Sequence, residues 1–172
     1  MTQLDIPDAA HRGDLAVFAE RALRLDGAAV IRLRLRHDGL IGAWVSTGLD
    51  VLAARVVAGG LAPADVTCSA EAVLRGLESA GESGRVDPGY PMDSAWRGAL
   101  PPETGFTHVD DVPADAVADV ARQGAELARE HAGPQGPPTS LLNQDVLQVS
   151  SPADSVAVPM RCVMALTAMG FM

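Results

Sequence analysis

Residues 29–36 (AVIRLRLR) alternate between apolar and basic side chains over most of their length. Successive side chains of a β-strand point to opposite faces, so Ile31, Leu33 and Leu35 would share one face and the arginines the other. The segment therefore predicts an amphipathic strand with one buried face and one solvated face.

Two further apolar segments follow this strand. Residues 40–46 (LIGAWVS) and 51–58 (VLAARVVA) are set off by short turns at 37–39 and 47–48, each containing glycine. Turns of this kind join antiparallel strands. The three segments predict an antiparallel meander, and residues 40–46, which are apolar on both faces, are expected in its interior.

Helical periodicity appears on both sides of the meander. Apolar residues recur every three or four positions over residues 14–25, with Asp14 as the predicted N-cap and Asp26-Gly27 as the stop. A second helix is predicted to start at an N-cap, Ser69. The remaining predicted elements are helices over 69–80, 113–131 and 159–172 and a short strand over 145–149.

These elements predict an α+β fold: a small antiparallel sheet of three to four strands, packed by helices on one face. A chain of 172 residues is typical of one domain, which is expected over residues 1–172. Residues 81–105 are rich in Gly, Pro and Ser and predict a flexible loop. The segment GPQGPP at 133–138 predicts a hinge.

The chain is acidic, with a net charge of −9, and all 13 of its basic residues are arginine. The absence of lysine excludes a Schiff-base enzyme, a phosphate-loop nucleotide hydrolase and a Ser-Lys catalyst. Acidic and basic residues balance over residues 1–60, so the excess of acids lies in residues 61–172. Binding to nucleic acid is not expected of an acidic chain with few aromatic residues.

No segment predicts an export signal or a membrane span. Residues 1–14 contain acids and a proline where a signal peptide needs basic and then apolar residues. The most apolar stretch, 156–172, is shorter than the ~20 residues of a spanning helix and contains Arg161. A cytoplasmic protein with reduced cysteines and no membrane partner is expected.

Arg32, Arg34 and Arg36, called the arginine row below, form the most prominent candidate site. Alternate strand residues are ~6.6–7 Å apart, and arginine binds phosphate or carboxylate through two parallel hydrogen bonds. Arg55 on the third strand would join this face in a suitable register, and Trp96 lies in the loop predicted beside it. The row predicts contact with an anionic ligand or an acidic partner. The alternative is a solvated face whose arginines pair with the chain's own acids, such as those of residues 103–119.

Met160, Met164 and Phe171 lie in the last predicted helix, which is apolar nearly all round. Methionine adapts its shape to a partner surface, so these residues predict an interface. The alternative is that they fill the core.

Nucleophilic and metal-ligating residues form no recognised motif. Cys68 precedes a predicted helix N-terminus, which lowers a thiol pKa, but no histidine is spaced to act as its base. His108 and Asp110-Asp111 offer metal ligands, with no further ligand expected to converge on them. No catalytic residue, metal or cofactor is predicted.

Residues 95–106 (AWRGALPPETGF) and 158–171 (VPMRCVMALTAMGF) are similar to an uncharacterised protein family of high-GC bacteria. The resemblance covers most of the chain and implies no activity, cofactor or site residue. It implies that relatives continue beyond residue 172, so that the apolar ending would be a domain boundary.

Two functions are compatible with these features. The first is a non-enzymatic protein-interaction or regulatory domain that forms a homodimer through the arginine row or the methionine-bearing helix. The second is a small anionic-ligand-binding protein or cofactor-free enzyme, with a pocket between the sheet and residues 81–105. The first is preferred, because no nucleophile, metal cluster or phosphate cradle accompanies the large apolar content.

Overall fold

A computed structural model describes residues 1–172 and has five helices and three antiparallel sheets, which confirms the predicted α+β fold. The chain divides into two compact units, one of Met1–Gly48 with Leu52–Thr104 and the other of Leu49–Val51 with Gly105–Met172. The single domain predicted over residues 1–172 stays a prediction. No helix in either unit combines the length and the hydropathy that crossing a membrane requires.

The first unit holds most of the regular structure. Its elements in chain order are β1 (Gln3–Asp5), α1 (Ala9–Leu25), β2 (Val30–Leu35), β3 (Leu40–Ser46), β4 (Leu52–Ala58), β5 (Gly60–Ala62), β6 (Asp65–Ser69), α2 (Ala70–Ser79) and β7 (Arg85–Val86), followed by a 3-10 turn at Asp93–Ala95.

The main sheet has the strand order β4-β3-β2-β6, with every neighbouring pair antiparallel. Its first three strands are the predicted meander, and β3 lies in the interior as expected. The fourth strand, β6, was not predicted, because its neighbour β2 is more than 30 positions away and no local turn links the two. The sheet therefore reaches the upper end of the predicted strand number.

α1 and α2 pack on one face of this sheet, as predicted. The apolar sides of the helices meet the inward side chains of the strands, and burial of each large apolar side chain stabilises the fold by about 1.5–3 kcal/mol. The fully buried side chains of this core include Leu15, Phe18, Val73, Ile31, Leu33, Ile41, Val45, Val57 and Val66.

α1 begins earlier than predicted, because Asp8 and not Asp14 is its N-cap. The Asp8 carboxylate accepts hydrogen bonds from the backbone N–H groups of Ala10 at 2.7 Å and His11 at 3.1 Å. These hydrogen bonds hold the pKa of Asp8 below its ordinary value. The apolar periodicity that located the helix starts only at Leu15, so it could not reveal the polar first turns. The Ser69 N-cap of α2 is confirmed, since its hydroxyl accepts the N–H of Ala72 at 3.5 Å.

Residues 81–105 are anchored at several points. β7 pairs with β1, which also pairs with β5 in a second, three-stranded sheet. Farther along, Met92 N–H donates to the Thr67 carbonyl, and Thr67 N–H donates to the Asp93 carboxylate, each at 2.7 Å. These bonds satisfy the outer edge of β6 at Thr67.

The second unit contains α3 (Ala114–His131), α4 (Thr139–Leu142), β8 (Asp145–Ser150), β9 (Ser155–Pro159) and α5 (Met160–Ala168). α3 and β8 match their predicted ranges to within a residue. β9 was not predicted, and α5 ends at Ala168 rather than at residue 172. Within residues 133–138, Gly133 and Gly136 exchange backbone hydrogen bonds of 3.2 and 3.1 Å.

Candidate functional site

The register of the main sheet places the arginine row on the face away from the helices. Arg32 lies opposite Trp44 on β3 and Thr67 on β6, and Arg34 lies opposite Gly42 and Asp65. On the opposite face of β2, Ile31 and Leu33 are fully buried and Leu35 is partly buried. The amphipathic strand predicted from the alternation is therefore confirmed.

Arg32 is held by the chain's own side chains. Its Nε and Nη2 atoms donate to the two carboxylate oxygens of Asp65 at 2.8 and 2.7 Å, and its guanidinium carbon lies 5.9 Å from the centre of the Trp96 ring. This paired hydrogen bond lowers the pKa of Asp65 and raises that of Arg32. Trp96 therefore contacts the arginine row, as its position in the sequence suggested.

The other two arginines of the row are also paired. Arg34 Nε lies 3.9 Å from Asp65 and 3.7 Å from Glu103, while Arg36 Nη2 donates to Asp38 at 2.9 Å. Glu103 also accepts the backbone N–H of His37 at 3.0 Å and contacts its ring Nδ1 at 2.8 Å, which lowers the pKa of Glu103. The structure therefore contains the alternative arrangement, in which the arginines pair with acids of the same chain. One of these acids, Glu103, belongs to the predicted acidic stretch 103–119.

Arg55 does not join the row. It lies opposite Ala43 on β3, and Ala43 is buried beneath the helices. Neighbouring strands keep directly opposite residues on one face, so Arg55 points to the helix side of the sheet. Arg55 was expected on the same face as the arginine row only in a suitable register, and the observed register places it on the other face.

A cavity of about 240 Å³ lies between the main sheet and the loop, where the sequence predicted a pocket. It is lined by Arg32, Asp65, Thr67, Asp93, Trp96 and Gly98. Its single arginine is committed to Asp65, and a second carboxylate, Asp93, faces it. This charge balance does not favour an anionic ligand.

Cys68 is fully buried in the apolar core. Burial, followed by the nearby carboxylates Asp93 and Asp87, raises its pKa to about 11. The thiol therefore stays protonated at neutral pH and is a poor nucleophile. His108 contacts Asp111 at 2.8 Å, a local pair that no third His, Cys, Asp or Glu joins to form a metal-binding group.

The residues predicted as an interface in the second unit divide between core and surface. Met160 is 3% exposed and fills the space beside Gly124, where a Cβ would overlap its sulfur. It is a core residue of this unit and not a surface residue. Met164 is half-buried against the same core, and Phe171 is partly exposed.

The β8–β9 ribbon has an apolar face that extends beyond this core. Leu147 and Val158 are paired across the strands and pack on the core, while the next pair on the same face, Val149 and Val156, lies beyond it. Val156 is 47% exposed. The sequence signal for this surface was present in the alternation SVAV of residues 155–158, but the run was too short to separate a strand from the helix that follows it.

The geometry defines an α+β protein of two compact units. The first has a sheet face whose arginines are paired with carboxylates, and the second has a two-stranded ribbon on which Val156 is exposed. Residues 1–98, more than half of the chain, match the family model described as Domain of unknown function (DUF8010), and the chain belongs to this family. Residues 101–172 match a second model, Domain of unknown function (DUF8185). The uncharacterised family suggested by resemblance is confirmed to this extent. Neither the curated proteins nor the solved structures give a match.

Proposed function

We propose that the chain is a non-enzymatic protein-interaction module that self-associates through its second unit. The observation that carries the proposal is the two-stranded β8–β9 ribbon: its outer edges pair with no further strand, and its apolar pair Val149 and Val156 lies beyond the core of the unit.

The second unit has a small core. Only five of the buried apolar residues belong to residues 105–172, namely Leu141, Met160, Val163, Ala165 and Met169. Eight further apolar side chains surround this core and are only partly buried. Small units with so little buried surface gain stability from additional contacts such as oligomerisation. A second copy would therefore add to the apolar surface that this unit buries.

The ribbon edge is suited to strand pairing between copies. A two-stranded sheet leaves one edge of each strand unpaired, and β9 (SVAVP) contains no charged residue. Natural edge strands are usually protected by charges, which this strand lacks. Antiparallel pairing of β9 with its copy is self-complementary and closes as a two-fold dimer.

A second copy suits this edge, because it offers the same uncharged strand for antiparallel pairing. The second unit is acidic, with eight acids and three arginines in residues 105–172, so two copies repel each other except where the surface is neutral. The uncharged β9 edge is such a surface. The arginine row gives less support to dimerisation, because its charges are already paired with carboxylates of the same chain.

Val156→Lys tests this proposal. The substitution places a charge on the exposed face of β9, where it should prevent pairing while leaving the folded chain intact. Light scattering should give about twice the monomer mass of 17.8 kDa for the natural chain and the monomer mass for Val156→Lys.

Val56→Lys is the matched control. Val56 is 40% exposed on β4, an edge strand of the main sheet, and its substitution should leave the dimer unchanged. A natural chain that stays monomeric at high concentration, or a Val156→Lys variant as dimeric as the control, would contradict the proposal.

A further inference from the structure

A groove of the first unit is lined by none of the residues of the arginine row. It has a volume of about 710 Å³, within the range of small-molecule sites. One wall is α2 and the other is the chain from β7 to Met92. It is lined by Ser69, Ala72, Arg75, Gly76, Ser79, Arg85, Asp87, Gly89, Tyr90 and Met92.

The wall opposite α2 is fixed in place by backbone contacts. A Cβ on Gly76 would overlap the carbonyl oxygen of Asp87, and one on Gly89 would lie 2.7 Å from the Cβ of Ala72. Gly89 also has a φ of +81°, which other residues rarely adopt. Both ends of this wall are hydrogen bonded, through β7 to β1 and through Met92 to Thr67. The groove is therefore preformed in the folded chain.

The cations of this groove differ from those of the arginine row. Arg75 is exposed and makes no hydrogen bond or ion pair with the chain. Arg85 is 87% exposed, and its one ionic contact is a distant approach of 3.8 Å to Asp5. The lining contains a single carboxylate, Asp87, which accepts the N–H of Gly89 at 3.0 Å. Two guanidinium groups thus remain available to an anion.

An aromatic ring stands beside these cations. Tyr90, the only tyrosine of the chain, is 90% exposed, and its neighbour Met92 is 42% exposed. Small-molecule sites are lined mostly by apolar and aromatic side chains, with a few polar or charged groups that fix the orientation of the ligand. The groove thus combines an exposed aromatic ring with two exposed guanidinium groups.

We propose that this groove binds a small organic anion that joins a phosphate or carboxylate group to a flat apolar ring. Arg75 and Arg85 bind the anionic group, and Tyr90 and Met92 contact the ring. This groove lies between α2 and the loop and is distinct from the pocket that the sequence predicted between the sheet and the loop. The proposal is independent of self-association, since it uses only residues of the first unit.

Phenyl phosphate is a suitable probe, because it carries both a dianion and a ring. Titration followed by NMR should give saturable shifts of the backbone amides of residues 75–76 and 85–92. Inorganic phosphate should bind more weakly than phenyl phosphate, because it lacks the ring. Arg75→Gln should raise the dissociation constant about tenfold, as expected for loss of one charge-assisted hydrogen bond, and Tyr90→Ala should raise it for phenyl phosphate but not for inorganic phosphate.

Arg24→Gln is the matched control, since Arg24 is exposed near the end of α1 and outside the groove. It should leave the affinity within about twofold, the scatter expected for a remote surface charge. The proposal is overturned if phenyl phosphate gives no saturable shifts, if the shifts lie elsewhere, or if Arg24→Gln and Arg75→Gln have equal effects. Equal binding of inorganic phosphate and phenyl phosphate would overturn the assignment of the ring to Tyr90.

Discussion

At the residue scale, two helical glycines of the first unit show how neighbours decide the role of a residue. Gly13 lies in α1 with open space where a Cβ would be, whereas Gly76 lies in α2 directly against the backbone of Asp87. Alanine favours a helix over glycine by about 1 kcal/mol. The same substitution should therefore have opposite effects at the two sites.

Gly76→Ala should lower the free energy of unfolding by about 1–3 kcal/mol, because the new Cβ forces the loop away from α2. Gly13→Ala should raise it by about 0.5–1 kcal/mol. Urea denaturation of the two variants measures both changes. A stabilised Gly76→Ala variant would mean that the loop does not rest on α2, and the groove lined by Arg75 and Tyr90 would then lack its fixed wall.

At the element scale, the Arg32–Asp65 pair links β2 to the edge strand β6. The pair is partly exposed, with the Asp65 side chain 39% accessible, so solvent screens it and its contribution is modest. It nevertheless helps to hold β6 beside β2, because no local turn connects these two strands.

Asp65→Asn should lower the free energy of unfolding by about 1 kcal/mol at pH 7. Because the pKa of Asp65 is lowered in the folded state, its stabilisation is fully present above the unfolded pKa of about 4 and is lost as the pH falls through the folded pKa. The difference between the natural chain and the variant should accordingly vanish in strong acid.

Urea denaturation at pH 7 and at about pH 2, below the unfolded pKa of the carboxyl group, tests this expectation. Asp14→Asn provides the comparison, since Asp14 is exposed and has no partner, and it should change stability little at either pH. A deficit of Asp65→Asn that persists unchanged in acid would show that the carboxylate charge is not the source of the effect.

At the scale of the whole molecule, charge opposes association. The chain carries a net charge of −9, so two copies repel each other, and the proposed contact through β9 is uncharged. Salt reduces such repulsion, since the Debye length falls from about 10 Å at 0.1 M to about 3 Å at 1 M.

Raising the salt concentration over this range should therefore strengthen the dimer, with a dissociation constant that falls several-fold. Sedimentation or light scattering at a series of salt concentrations measures it. A dimer that weakens with salt would instead indicate contact between the arginine row and acidic residues of the partner copy.

Local pattern alone determined the meander and the main helices. The alternation around Ile31 and the helical period around Leu15 are local properties, because a buried face repeats every two residues in a strand and about every 3.6 in a helix. For the same reason, the sequence placed Arg32, Arg34 and Arg36 on one exposed face and Ser69 at the start of α2.

Tertiary structure alone decided which residues these elements meet. Short strands such as β6 and β7 form because distant segments pair with them. The hydrophobic periodicity of a short segment does not indicate which distant segment will pair with it. The strand register places Arg55 on the face opposite the arginine row. The carboxylates of Asp65 and Glu103 pair with arginines of that row. Met160 packs against Gly124 and is therefore part of the core. A sequence fixes the spacing of side chains along an element, but the free charges and open surfaces of a protein depend on the neighbours that folding brings to them.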